Sequence, residues 1–274
     1  MIKMLSLFSG IGAFEKALTN LGIDYELVGY CEFDKYASRS YAAVHGVSEE
    51  LNLGDITQLD AEKLPEGIDL VTYGFPCQDI SVAGKRQGFK DDEGNVTRSG
   101  LFFEALRIIE KTQPKVAIAE NVKNLTSKKF TKEFGIVLES LEQAGYNNYW
   151  QVLNATDYGV PQNRERVFII SIRKDIDTGA FTFPKPIPLT KSLADMLEDE
   201  VDKKFHILDY TGVTKVNDNY SMIDGGTIGK MHDISRRAYN PAYIAPTIHC
   251  CGGGNLEPKI IERSDEPSKP TSND

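Results

Sequence analysis

Through the first two-thirds of the chain, short apolar runs alternate with segments whose apolar residues recur at helical spacing. That alternation predicts a parallel sheet flanked by helices, an α/β fold. Strands are expected at Met4–Phe8, Glu26–Tyr30, Asp69–Tyr73, Val116–Ala119 and Val167–Ile172. Between them, Ala13–Leu21 reads as a helix ending at Gly22, Lys35–His45 as one ending at Gly46, Leu101–Lys111 as one stopping before Pro114, and Phe130–Ala144 as one ending at Gly145. Glycine just past the last helical residue accepts the left-handed backbone that closes a helix, which supports these boundaries.

After Arg173 the texture changes. FTFPKPIPLT places three prolines close together and denies the chain both helix and central strand, so a boundary near residue 180 is expected. Beyond it come a short helical candidate around Leu193–Leu197 and a stretch rich in glycine, asparagine and tyrosine from Tyr210 to Asn255. The last residues, ERSDEPSKPTSND, carry too little apolar surface to fold, and 262–274 is expected to be a disordered tail. No internal repeat is found.

Composition narrows the class. The chain has 274 residues, enough for one large domain with a smaller elaboration. Four cysteines, no secretory leader and no apolar run of bilayer length predict a soluble, cytoplasmic protein. The pair Cys250 and Cys251 has no partner at zinc-like spacing, so no metal is expected. The net charge of −9 argues mildly against a nucleic-acid partner, yet charge is local: KNLTSKKFTK concentrates Lys123, Lys128, Lys129 and Lys132 without an acid.

The first strand runs into LFSGIGAFEKAL, which puts Gly10 and Gly12 on a strand-to-helix turn, and Glu32 stands about twenty residues on at the end of the second strand. Such a turn brings backbone close to a ligand, and the acid can grip ribose hydroxyls. Glu15 occupies the place of the third glycine of a dinucleotide fingerprint, and its carboxylate would repel a pyrophosphate. A nucleoside cofactor without phosphates fits better, S-adenosylmethionine above all. In LGDIT, Asp55 is placed to accept from an adenine amino group, with Ile56 and Phe33 sandwiching the ring.

In YGFPCQDIS, Cys77 follows a strand at the carboxyl edge of the sheet, where open α/β folds place their ligands. Packing is the ordinary use of a free cysteine, but a loop between Pro76 and Gln78 is a poor place for it. A reactive thiol must be a thiolate, and Lys85 and Arg86 are candidates to favour that form. At the next strand end, IAENVKNL puts Glu120 and Asn121 beside the same crevice, where partial desolvation would raise the acid's pKa. YGVPQNRERVFIIS presents Gln162, Arg164 and Arg166 before a buried strand. Methylating cytosine C5 requires a thiolate to add at C6, an acid at N3 and a cation at O2 to absorb the developing charge. Cys77, Glu120 and Arg166 match those roles.

With FSGIG, the acid in CEFD, GDIT, GFPCQDIS, ENV and QNRERVFI in that order, the chain resembles the cytosine-C5 DNA methyltransferases of bacterial or phage type over roughly residues 3 to 173. The resemblance implies a Rossmann-like S-adenosylmethionine-dependent methyltransferase fold with a smaller target-recognition region: residues 1–180 for catalysis and cofactor binding, 181–261 for recognition. It implies Cys77 as nucleophile, Glu120 at N3, and Arg166 with Arg164 near O2. Around the cofactor it implies Phe8, Gly10, Ile11, Gly12, Glu32, Phe33, Asp55, Ile56 and Pro76. Double-stranded DNA is the expected partner, its target base flipped out of the stack. Gln78 beside Cys77, and Ser81, Lys85 and Arg86 on a loop spanning Ser81–Ser99, are expected to contact it, as are Arg236, Arg237, Thr247 and His249 from the glycine-rich region, where arginine could read guanine.

Family members normally continue with an arginine-rich helix and a GN-containing segment that closes the cofactor pocket; this chain reaches Asp274 without either, and a second polypeptide or second copy is expected to supply them. Three readings stay open: an active DNA enzyme, a non-catalytic remnant or one subunit of a split enzyme, and an RNA cytosine methyltransferase, the last disfavoured by the recognition region.

Overall fold

The computed structural model describes residues 1–76, 98–248 and 257–261. The chain forms two compact units, one of Met1–Leu153 with Glu165–Pro184, the other of Asn154–Arg164 with Lys185–Asp274.

The first unit is an α/β layer. Its strands are β1 (Ile2–Leu7), β2 (Tyr25–Cys31), β3 (Leu70–Tyr73), β4 (Val116–Val122), β5 (Tyr146–Asn154) and β6 (Glu165–Arg173), in the order β2-β1-β3-β4-β6-β5. The first four pair in parallel, as the alternating pattern predicts. β6 instead runs antiparallel to β4, which corrects the expectation of an all-parallel sheet. β5 was not expected at all: YNNYWQVLN lies at the edge of the sheet, and its polar residues hide the strand.

β4 also runs further than expected. The apolar run ends at Ala119, but pairing continues through Glu120 opposite Phe168, Asn121 opposite Val167 and Val122 opposite Arg166. The ENV residues therefore sit on the regular ladder, not on a loop beyond it. β1 from Met4 onward and all of β3 are buried, as central strands covered on both faces must be. Leu5, Leu7, Val71, Tyr73, Ala117 and Val167 form a core with Phe102, Ile108 and Ile109 of α3 (Phe102–Thr112) and Phe134, Val137 and Leu141 of α4 (Thr131–Gln143). Burying each large apolar side chain contributes about 1.5–3 kcal/mol.

α1 (Ala13–Asn20) and α2 (Lys35–His45) fall where expected. Asp34 caps α2 by accepting from the backbone of Tyr36 at 2.8 Å and Ala37 at 2.9 Å, and Gly46 ends it with φ 64°. On this side the Tyr41 ring of α2 stacks on Tyr30 of β2, centroids 3.9 Å apart.

The second unit contains a four-stranded sheet in the order β10-β9-β8-β7, built from β7 (Gly212–Lys215), β8 (Tyr220–Asp224), β9 (Arg237–Tyr239) and β10 (Lys259–Ile260) around Ile223, Ile228 and Ala238. The helical candidate near Leu193 is a single 3-10 turn, Leu193–Met196. Asn154–Arg164, expected within residues 1–180, joins this unit because Asn163 donates to the Ala245 carbonyl at 2.9 Å and Ala245 to that of Pro161 at 2.7 Å. The expected disordered tail lies outside the described residues.

Candidate active site

Glu120 of β4 and Arg166 of β6 meet because the two strands run antiparallel with Val122 opposite Arg166. Arg166 Nε lies 2.9 Å from Glu120 Oε1, both side chains largely shielded from solvent, and Arg166 Nη1 donates to the Glu165 carbonyl at 2.8 Å. The acid expected to be desolvated in apolar surroundings instead carries a guanidinium partner. Gly74 follows β3 directly, and a Cβ there would sit 3.7 Å from Glu120 Oε2, so the backbone leading to Cys77 passes beside this carboxylate. Asn121, only 3% exposed, donates Nδ2 to the Phe75 carbonyl at 3.1 Å. A buried amide spent on a loop carbonyl fixes that loop. Pro76 is half-buried at its end, while Cys77, Gln78, Ser81, Lys85 and Arg86 lie outside the described residues.

On the other side of β1, the chain leaves the sheet in an unusual conformation. Phe8 adopts φ 53°, which a bulky residue takes only where the surroundings impose it. Gly10 and Gly12 follow with φ 55° and 80°. At Gly12 glycine is required twice over, since a Cβ would also fall 2.1 Å from His45 Nε2, the ring that bonds the Ile11 carbonyl at 3.0 Å. Ser9 binds the Cys31 carbonyl through its backbone, at 3.0 Å, and its hydroxyl, at 3.1 Å.

Glu32 faces this turn. Its Oε2 accepts from Gly10 N–H at 2.8 Å and its Oε1 from Asp34 N–H at 2.7 Å. Each oxygen keeps lone-pair capacity for a further donor, and the carboxylate is fixed in place to use it. Phe33, 83% exposed, and Ile11, 60% exposed, present apolar surface beside the turn. Asp55 caps its own short turn through Thr57 N–H at 2.9 Å. An absent-Cβ turn, an oriented acid, an open aromatic face and a second acid fit a nucleoside cofactor.

Ile56 is 4% exposed and packs with the core cluster, unlike the open Phe33. Glu15, 1% exposed, is buried beneath the turn and accepts from the Tyr41 hydroxyl at 2.9 Å. Burial, with the Glu15 carboxylate next, pushes the ionisation of Tyr41 upward. Burial likewise pushes the Cys31 thiol up to about 12, with the Asp55 and Glu32 carboxylates adding to the shift. Cys31 is therefore an inert thiol beneath the acids.

The structure also shows residues that the sequence does not flag. Asn52 of LNLGDIT accepts from Glu32 N–H at 3.1 Å and Gly54 N–H at 2.9 Å, and donates to the Glu32 carbonyl at 3.0 Å and Ser38 Oγ at 2.9 Å. Arg107 of α3 donates to the carbonyls of Ile56, at 3.1 Å, and Leu59, at 3.0 Å. The hints are slight: a polar residue between Leu51 and Leu53, and an arginine between the apolar residues Leu106 and Ile108 of α3.

In the second unit, Arg236 is not presented as a base reader. Its Nε donates to the Ile223 carbonyl at 3.0 Å and its Nη2 binds Asp224 at 2.8 Å, because β8 and the turn before β9 converge on it. Arg237 lies over the Tyr220 ring at 4.8 Å, Thr247 donates to the Asn163 carbonyl at 2.6 Å, and Gln162 bridges to Ala245. The Arg164 backbone bonds to Asn154 in the same unit. His249, Cys250 and Cys251 lie outside the described residues. Among the described residues no helix is long and apolar enough to cross a membrane.

The glycine turn, the acid after β2 and the Glu–Arg pair define an α/β fold of the S-adenosylmethionine-dependent methyltransferase class. The family model for C-5 cytosine-specific DNA methylases matches residues 2–272, and the chain belongs to that family. It is 35% identical over 332 residues to the orphan methyltransferase M.SPBetaI of Bacillus phage SPbeta, covering 97% of this chain and 75% of the relative. It is 34% identical to the type II methyltransferase M.HhaI of Haemophilus parahaemolyticus, covering 92% and 75%. The fold resembles a putative DNA modification methyltransferase encoded within an E. coli prophage, at a TM-score of 0.59, 21% identity and coverage of 95% and 86%. It also resembles a mutant of Spodoptera frugiperda DNMT2, at a TM-score of 0.59, 24% identity and coverage of 75% and 62%.

Proposed function

We propose that this protein methylates C5 of a cytosine flipped out of double-stranded DNA in the cytoplasm, using S-adenosylmethionine bound at the Gly10, Gly12, Glu32 and Asp55 edge. The observation that carries the reading is the Glu120–Arg166 pair at 2.9 Å beside the backbone that leads into Cys77. Bound S-adenosylmethionine supplies an electrophilic methyl group. Cys77, as thiolate, adds to C6 and pushes electron density towards C5, O2 and N3. Glu120 holds a proton at N3, and Arg166 meets O2 through its forked donors, so both stabilise the charge that addition creates. Asn121 holds the Phe75 carbonyl, two residues before Cys77. The electron-rich C5 so formed takes the methyl group, with S-adenosylhomocysteine left behind; loss of the C5 proton from the methylated adduct then re-forms the C5–C6 double bond and expels the Cys77 thiolate.

Duplex DNA carrying 5-fluorocytosine tests this directly, because fluorine cannot leave as a proton does. Incubation with the protein and S-adenosylmethionine should give a covalent protein–DNA adduct that Cys77→Ala does not form. RNA of the same sequence should not be trapped. A Cys77→Ala variant that still transfers methyl groups to DNA would end this reading.

A further inference from the structure

Asn52 occupies a position that none of the roles above explains. Both of its amide protons and both of its acceptor sites are used: Oδ1 takes the N–H groups of Glu32 and Gly54, and Nδ2 gives to the Glu32 carbonyl and Ser38 Oγ. Its backbone also bridges to Tyr30 of β2. Glu32 and the turn that begins at Gly54 come from different parts of the chain, and each presents a carboxylate, Glu32 itself and Asp55. Asn52 Oδ1 holds the backbone N–H of Glu32 and that of Gly54, the residue next to Asp55, so one side chain joins the two acid-bearing segments.

We infer that Asn52 is a positioning residue for cofactor binding, setting the spacing between the acid placed to hold ribose and the acid placed to hold adenine. This rests on the cofactor site proposed above. An amide with every hydrogen bond satisfied has one orientation, and the backbone groups it holds inherit that orientation. A nucleoside spanning both acids gains affinity because the spacing exists before it binds. A side chain acting in this way touches no ligand atom and exerts its effect through Glu32 and Asp55.

The test is a double-mutant cycle read by calorimetric titration with S-adenosylhomocysteine, alongside melting temperatures without ligand. Glu32→Ala and Asn52→Ala should each weaken affinity by about tenfold or more, tenfold being 1.4 kcal/mol. The double variant should bind more tightly than the product of the two losses predicts, because Asn52 acts partly through Glu32. Should Asn52→Ala fail to fold, Asn52→Asp keeps the acceptor for both N–H groups. Its affinity should fall as well, because the donors to the Glu32 carbonyl and Ser38 Oγ are lost. If Glu32→Ala weakens binding and neither Asn52 variant does, Asn52 has no positioning role and the cofactor site stands. Strictly multiplicative losses also overturn the role, showing general loosening. If no variant changes affinity, the cofactor site itself is misplaced and the role of Asn52 falls with it.

Discussion

Asn121 Nδ2 lies 3.1 Å from the carbonyl oxygen of Phe75, so the strand that carries Glu120 also holds the turn that leads into Cys77. On the function proposed above, one short stretch of β4 carries the acid and holds the backbone two residues before the nucleophile. Asn121→Ala should leave the Phe75 carbonyl unpaired in a buried place, a cost of about 1–3 kcal/mol in stability. The larger effect should fall on turnover. A reacting group displaced by about 1 Å can lose roughly 100-fold in rate. Steady-state kinetics should show kcat falling by about that factor, with S-adenosylhomocysteine affinity unchanged.

Glu120→Gln keeps the shape of the side chain but removes the exchangeable proton and the charge that holds Arg166. The rate of methyl transfer should fall by roughly 10²–10⁴, the usual worth of a positioned acid. Arg166→Lys should also be costly, since a point charge cannot bond Glu120 and a substrate oxygen through a planar fork. Single-turnover measurements should find the double variant little worse than the poorer single one, because each residue orients the other.

Gly12→Ala meets three obstacles: a φ of 80°, the His45 ring where the new Cβ would stand, and the Tyr41 ring 2.8 Å from it. The backbone alone should cost about 1–3 kcal/mol. Urea denaturation should show Gly12→Ala/His45→Ala recovering part of the loss, since removing the imidazole relieves the closest collision and leaves the backbone strain and the Tyr41 contact at 2.8 Å.

Cys31 makes stability depend on alkaline pH. Its thiol titrates near 9.0 when unfolded and is held up to about 12 in the fold, chiefly by burial. The folded state therefore keeps its proton over a range in which the unfolded chain loses it. The contribution is full below about pH 9 and declines by about 1.4 kcal/mol per pH unit up to about 12. Denaturation at pH 8 and pH 10 under reducing conditions should show a larger loss for the natural chain than for Cys31→Ala.

Much of the sheet is legible from apolar runs because central parallel strands are buried on both faces and leave no polar gaps. β5 escapes that reading because an edge strand tolerates Asn147, Asn148 and Gln151. The direction of β6 escapes too, since a buried strand reads the same way in either direction. At the site, Gly10, Gly12 and Glu32 are legible because a tight turn and an acid at a set distance follow local rules. The setting of Arg236 is not, because it is fixed by contacts far along the chain: Arg236 binds Ile223 and Asp224. Asn52 is invisible for a related reason, its partners lying fourteen and twenty residues away.

The second unit is assembled from two pieces of chain, with all of β6 threaded between them. If the second unit is the recognition region, as the resemblance implies, this bears on any attempt to exchange it with that of a relative. A junction placed only in the proline-rich stretch near Pro184 would transplant the second unit's sheet but leave Asn154–Arg164 behind, separating Asn163 and Pro161 from Ala245, whose backbone they bond. A functional graft needs two inserts: the eleven residues from Asn154 to Arg164, and the segment from Lys185 onward, exchanged together around an untouched β6.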